Sequence, residues 1–268
     1  LAGLGLSYNL ASPVHDLDQA PFVNDFLRDL RLAALFLTRL PLRPLAEGEM
    51  VPLAHAMRAF PLLGALIGLV GGLALIMAER MEWPPMAAGL FAVAVMVLLT
   101  GGLHEDGLAD CADAFGAFAD KEKKLAILKD SRLGSFGVLA LIFSVGLRAS
   151  ILAAVPAIDG CWMLIAAGAL SRATVPLAMS TAQPAKSDGL GAGAGTPDSA
   201  TGLWVLAIAI VIAFIALGGS ALAAIAYAAI ASGLMLFWAK RQIGGYTGDV
   251  LGACIQTSEI AVLLAGLS

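Results

Sequence analysis

Leu98-Leu99-Thr100-Gly101-Gly102-Leu103-His104-Glu105-Asp106-Gly107-Leu108-Ala109-Asp110-Cys111-Ala112-Asp113-Ala114 decides how this chain is read. An apolar run ends at two glycines, and a histidine and four carboxylates follow at once in a chain otherwise nearly free of charge. Read as a helix, the segment sets Asp106, Asp110 and Asp113 at i, i+4 and i+7, on one face. Carboxylates in line repel one another, so the face calls for a cation, and hard oxygen ligands favour Mg²⁺ or Mn²⁺ over zinc. The chemistry this suggests is metal-assisted phosphoryl transfer. His104 stands beside the face as a general base or phosphate contact. The competing reading is a hydrogen-bonded structural histidine at the end of a span.

Composition sets the surroundings. Hydrophobic residues make up 59% of the chain and charged residues 13%, with a mean hydropathy of +0.87, far from the roughly 25% charge of soluble domains. The fold class is all-α, a polytopic helical bundle in a membrane. Spans of the length a bilayer requires are drawn at 60–79, 85–103, 133–156, 161–180, 201–217, 219–239 and 250–267, about seven in all. Gly218-Gly219-Ser220 is the only break in 201–239 and reads as a tight hairpin or a flexible point.

Basic residues test the scheme, because they gather in short cytoplasmic loops. Counted alternately along the spans, one side receives Arg28, Arg31, Arg39, Arg43, Arg58, Lys121, Lys123, Lys124, Lys129, Arg132, Lys186, Lys240 and Arg241, and the other only Arg80. That asymmetry predicts a cytoplasmic N-terminus, an odd number of crossings and a cytoplasmic face carrying 104–132, 186–198 and 240–249. Residues 1–24 contain acids and prolines but no Lys or Arg, so they read as a disordered extension, and 25–268 as a single transmembrane domain. From Asp25 to Leu40, apolar and charged residues alternate with helical rhythm, which predicts an amphipathic helix on the membrane surface ending before Pro41. Cys111, Cys161 and Cys254 are too far apart for a disulfide framework or a zinc spacing.

Three loops carry further candidates. Asp130-Ser131-Arg132-Leu133-Gly134 joins an acid, a hydroxyl and a planar cation to backbone-exposing glycine, a suitable phosphate cradle; a helix cap with a topological anchor is the plainer reading. Lys186-Ser187-Asp188-Gly189-Leu190-Gly191 reads as a linker or as a lid over a nucleotide. Lys240-Arg241, followed by Gly244-Gly245-Tyr246-Thr247-Gly248-Asp249, combines cations, glycines and an acid, or else is a basic connector with Asp249 as a cap. Within the spans, Arg148, Arg172 and Glu259 must be paired or face a wet cavity. Arg172 is too deep to snorkel and is a candidate for an anionic substrate group.

Taken together, Gly101-Gly102-x-His104-x-Asp106-Gly107-Leu108-Ala109-Asp110-x-x-Asp113-Ala114 and Asp130-Ser131-Arg132-x-Gly134 resemble the cobalamin synthase family, the adenosylcobinamide-GDP ribazoletransferases. Phe36-Leu37-Thr38-Arg39-Leu40-Pro41, Phe60-Pro61-Leu62-Leu63-Gly64, Ser171-Arg172, Asp188-Gly189-Leu190-Gly191 and Gly244 to Ala253, with Glu259 beyond, match in order, so the likeness runs from about Asp25 to Leu264. The resemblance implies a Mg²⁺-dependent enzyme of the cell inner membrane, its site facing the cytoplasm. It would join adenosylcobinamide-GDP to α-ribazole or its 5′-phosphate and release GMP.

In that setting Asp106, Asp110 and Asp113 would hold the metal, Arg132 a phosphate, and His104 or a carboxylate the attacking hydroxyl. Arg39, Asp130, Ser131, Arg172, Gly189, Gly191, Lys240, Arg241, Gly245, Thr247 and Asp249 would contact substrate. The partners are those two substrates and the bilayer. Nothing points to nucleic acid, and self-association stays open. A CDP-alcohol phosphotransferase-like enzyme is the alternative, but Asp110 stands near where its motif has arginine and the trailing acids are missing. A transporter would need broken helices near the midplane, which the sequence lacks.

Overall fold

A computed structural model describes residues 21–43, 52–186 and 193–267. The described residues form α1 (Pro21–Leu37), α2 (Leu53–Ala56), α3 (Phe60–Arg80), α4 (Pro85–Thr100), α5 (Leu103–Gly116), α6 (Lys121–Ile127), α7 (Ser135–Leu152), α8 (Ala157–Thr181), α9 (Ser199–Leu217), α10 (Ala221–Ile243) and α11 (Gly248–Ala265). The helix expected from Asp25 begins at Pro21, where proline suits a first turn, and it stops at Leu37 rather than Leu40. The rest of the proposed extension, residues 1–20, lies outside the described residues.

Among the described residues, five helical stretches are long and apolar enough to cross a membrane: Leu53–Arg80, Ser135–Leu152, Ala157–Thr181, Ser199–Ile243 and Gly248–Ala265. The fourth has 45 residues, which as one rod would measure about 67 Å, more than twice the hydrocarbon thickness. It holds two crossings, α9 and α10, hinged at Gly218, whose φ of 54° is open to glycine. The 16 residues of α4 are apolar up to Thr100 but pass the same test only together with α5, from which α4 is bent by 94°. With α4 included, the crossings expected at 60–79, 133–156, 161–180, 201–217, 219–239 and 250–267 all have their helices. The span drawn at 85–103 is corrected: it ends at Thr100, because Gly101 (φ 66°) and Gly102 (φ 70°) both turn left-handed.

Small residues bring the crossings together. A Cβ at Gly64 would fall on the carbonyl of Gly168, one at Gly68 on that of Leu164, and one at Gly72 on Cys161, so α3 and α8 run antiparallel in backbone contact. Gly168→Leu should force them apart, costing about 1–3 kcal/mol or more and lowering the thermal midpoint of the detergent-solubilised protein. An unchanged midpoint would rule out this close crossing.

Because α3 and α8 are antiparallel, Thr181 ends beside Leu53. Lys240 Nζ at the end of α10 donates to Thr181 O (3.1 Å), and Ala54 N, in α2, donates to Ala194 O, shortly before α9 (2.9 Å). The α9–α10 hairpin therefore leaves and returns at one end of the bundle, where α1, α5 and α6 also lie. At the opposite end Glu79 accepts from Ala157 N (3.0 Å), tying α3 to the start of α8. The outer surface is apolar, with Leu98, Ile215, Leu203 and Leu222 each at least 68% exposed. Trp83, Trp162, Trp204 and Trp238 are exposed near helix ends, as in an interfacial belt. This is a multi-pass membrane protein.

Candidate active site

The bend at Gly101-Gly102 lays α5 across the end of the bundle instead of letting it continue the crossing. Two glycines then let α5 meet α11: Gly107 packs on the backbone of Asp249, and Gly252 on His104. Asp249, distant in sequence, thereby joins Asp106 and Asp110 on the wall of a cleft of about 740 Å³, whose other walls include Arg39, Glu105, Lys129, Asp130 and Ser131. The backbone N–H of Arg39 donates to Leu99 O (2.8 Å), and its side chain lies over Gly101, where a Cβ would displace it. This brings an exposed guanidinium to the carboxylates. Burial, then the charges of Asp106, Asp249 and Asp113, push the Asp110 carboxyl up to about 7. Such mutual repulsion favours a bound cation.

Asp113 departs from the expected metal trio. It shares the α5 face, but its two oxygens accept from the backbone N–H groups of Gly134 (2.7 Å) and Gly137 (2.9 Å). It caps the otherwise unpaired first turn of α7. Among the described residues no three His, Cys, Asp or Glu side chains converge into a ready-made metal cage. Asp106, Asp110 and Asp249 nevertheless suit Mg²⁺, which usually takes one or two carboxylates and completes its shell with substrate phosphate and water.

His104 lies deeper and is 2% exposed. Its Nδ1 faces a guanidinium nitrogen of Arg172 at 3.5 Å. An arginine only donates, so Nδ1 is the acceptor and Nε2 carries the proton. Burial, followed by the Arg172 and Arg148 charges, outweighs Glu259 and pushes His104 down to about 3. A neutral imidazole already protonated at Nε2 is a donor, which argues against the general-base reading.

Behind it runs a buried ionic chain that the sequence only partly revealed. Glu259 joins both Arg172 and Arg148, the latter at 3.1 Å. Arg148 also reaches Glu105 (3.0 Å), which accepts from Gln256 (3.0 Å), whose amide oxygen accepts from Ser144 (2.9 Å). Arg172, read as a substrate contact, is instead committed to Glu259 and Ser171. Glu105, Gln256 and Ser144 carry no motif of their own; an acid beside Asp106 and polar residues inside apolar runs were the available signals.

The remaining candidates divide. Asp130 and Ser131 line the cleft, while Arg132, with its side chain 87% exposed, turns outward in a forked pair with Asp130 (2.6 Å at the shortest). That pair lowers the Asp130 carboxyl. Thr247 caps α11 through Val250 N (3.4 Å) and donates to Asp249 (3.1 Å). Gly245 packs against the backbone at Gln183 and Ala185, where no side chain fits. Lys240 holds Thr181 O, and Arg241 stacks over Phe237 at 4.9 Å; neither lines the cleft. Gly189 and Gly191 lie outside the described residues.

A second hollow, of about 350 Å³, adjoins the first beneath α1, and the two share Arg39, Leu103, Asp106 and Asp249 as a common rim. Its inner wall is largely apolar and includes His104.

A helical membrane bundle with carboxylates and a guanidinium gathered in a cleft at one end has the form of an integral membrane enzyme. Within that class, a profile described as cobalamin-5-phosphate synthase matches residues 29–267, and the chain belongs to that family. It is 44% identical over 250 residues to the adenosylcobinamide-GDP ribazoletransferase of Bradyrhizobium diazoefficiens, covering 90% of this chain and 94% of the relative. The Rhizobium etli protein of the same name is 40% identical over 253 residues, covering 91% and 97%. No solved structure matches.

Proposed function

We propose that this protein joins adenosylcobinamide-GDP to α-ribazole or its 5′-phosphate, giving adenosylcobalamin or its 5′-phosphate and GMP. The observation that carries the reading is the meeting of Asp106 and Asp110 from α5 with Asp249 from α11 beside Arg39, in one cleft of a chain so similar to enzymes of that name. A ribose hydroxyl attacks the phosphorus that bears cobinamide, a new P–O bond forms, and the bond to GMP breaks. Asp249 faces both hollows and is the group we assign to accept the hydroxyl proton. Asp106 and Asp110 would hold Mg²⁺, which when bound offsets charge on the diphosphate. Arg39 binds a phosphate oxygen from the rim.

Arg132 completes the grip. Its pair with Asp130 is solvent-exposed, so exchanging that carboxylate for a phosphate costs little. Arg132→Lys keeps the charge but loses the planar fork, and kcat should fall about 100-fold, a loss that added Mg²⁺ does not restore. Wild-type kinetics in that variant would make Arg132 a topological anchor. The overall reading is tested by incubating the protein in nanodiscs with both substrates and Mg²⁺ and following GMP; no release from folded protein would sink it.

The basic residues at the site end favour a cytoplasmic orientation in the inner membrane. A cysteine introduced at Lys123 should then be labelled only from the cytoplasm, and labelling from the other side would reverse the orientation.

A further inference from the structure

Among the described residues that line the hollow beneath α1, His104 carries a buried side-chain nitrogen without a hydrogen-bond partner. The hydroxyls of Thr38 and Thr100 also face that wall, but they donate to Ala34 O (2.7 Å) and Met96 O (3.1 Å). The surrounding surface is supplied by Leu37, Met57, Phe60, Val175, Met179 and Ile255. His104 is the exception: Nδ1 is engaged by Arg172, and Nε2 is buried with no partner. An N–H left unpaired in an apolar wall is costly unless a ligand supplies an acceptor. The Glu259–Arg172 pair fixes which nitrogen carries that proton, so the donor is built into the fold.

We propose that this hollow is the subsite for the heterocyclic base of the nucleoside substrate, with His104 Nε2–H donating to a bare ring nitrogen while the ribose reaches Asp106, Asp249 and Arg39 at the rim. The inference rests on the functional reading above. The base of α-ribazole is a flat dimethylbenzimidazole with one unprotonated ring nitrogen and no exocyclic donor. A volume of about 350 Å³ lies in the range of small-molecule pockets. Adenine or guanine would bury exocyclic amines without partners in the same wall. The hollow therefore sorts the two substrates: it accepts the base of the attacking nucleoside and rejects the guanine of the leaving nucleotide. The shared rim then sets the ribose hydroxyl against the cleft where the diphosphate lies.

The test compares α-ribazole with the indole riboside of the same shape, in which carbon replaces the bare nitrogen, using the full-length protein in nanodiscs and following GMP release. Wild type should prefer α-ribazole by 10- to 100-fold in kcat/KM, the range of roughly one hydrogen bond to a buried donor. In His104→Phe the KM for α-ribazole should rise and the preference should collapse toward one, with the KM for adenosylcobinamide-GDP unchanged. A merely structural histidine would not erase the discrimination between the two ribosides. Should His104→Phe fail to fold, Val175→Phe, which narrows the hollow, should raise the KM for α-ribazole alone. GMP release with equal use of the two ribosides by wild type overturns the subsite and leaves the hollow to a lipid chain. An absence of GMP release with either riboside overturns the functional reading itself.

Discussion

Asp106→Asn is expected to lower kcat by about 1,000-fold while the protein remains inserted and folded, because it removes a charged oxygen from the centre of the cleft. Asp106 is exposed on α5, so its loss leaves no buried group unpaired. The same experiment distinguishes it from Asp113, whose carboxylate is spent on the first turn of α7. Asp113→Asn should loosen the α5–α7 junction and lower the thermal midpoint, with activity falling only as folded protein is lost. If Asp106→Asn retained near wild-type turnover at limiting Mg²⁺, the cleft would not be the reaction centre.

Glu259→Gln is the second large effect, and it falls on stability. Glu259 is fully buried between Arg148 and Arg172. Removing its charge leaves two guanidiniums with Glu105 as the remaining carboxylate among the described contacts. Breaking a buried pair in this way costs about 3–5 kcal/mol, enough to unfold a marginal membrane protein. Cys111, Cys161 and Cys254 are all buried, so a thiol-reactive dye reports unfolding directly. A variant whose thiols stay protected to the wild-type temperature would contradict a stabilising role for the chain of charges.

Much of this was legible in the sequence. The apolar runs gave the crossings because a bilayer tolerates little else, and the alternation of Phe26, Arg28, Leu30 and Arg31 gave α1. The acidic motif pointed to the cleft that Asp106 and Asp110 line. Its geometry was less accessible. Period arithmetic rightly put Asp113 on the face of Asp106 and Asp110, but it contains no information about what lies opposite, and there the unpaired N–H groups of α7 claim Asp113. Asp249 joins Asp106 and Asp110 in the cleft because Gly107 lets α5 and α11 touch. The depth of Arg172 suggested a substrate contact, whereas pairing with Glu259 meets the same electrostatic requirement internally. The end of α4 shifted because Gly101 and Gly102 turn left-handed, and past the end of α1 Arg39 N pairs with Leu99 O, a contact between segments far apart in the chain.

The brevity of α4 has a consequence for the depth of the candidate cleft. Its 16 residues rise about 24 Å, less than the roughly 30 Å of bilayer hydrocarbon. A helix that short is matched by a thinned bilayer or by flanking residues at the interface, and the second arrangement would bring the elbow at Gly101-Gly102 and the carboxylates just beyond it to the headgroup layer. Under the proposed function, reactants would then meet the carboxylates among the lipid headgroups. Lower polarity there would strengthen a contact between guanidinium and phosphate, and fewer waters would compete with the ribose for the phosphorus. A short fourth helix would in that case make the membrane itself one wall of the cleft.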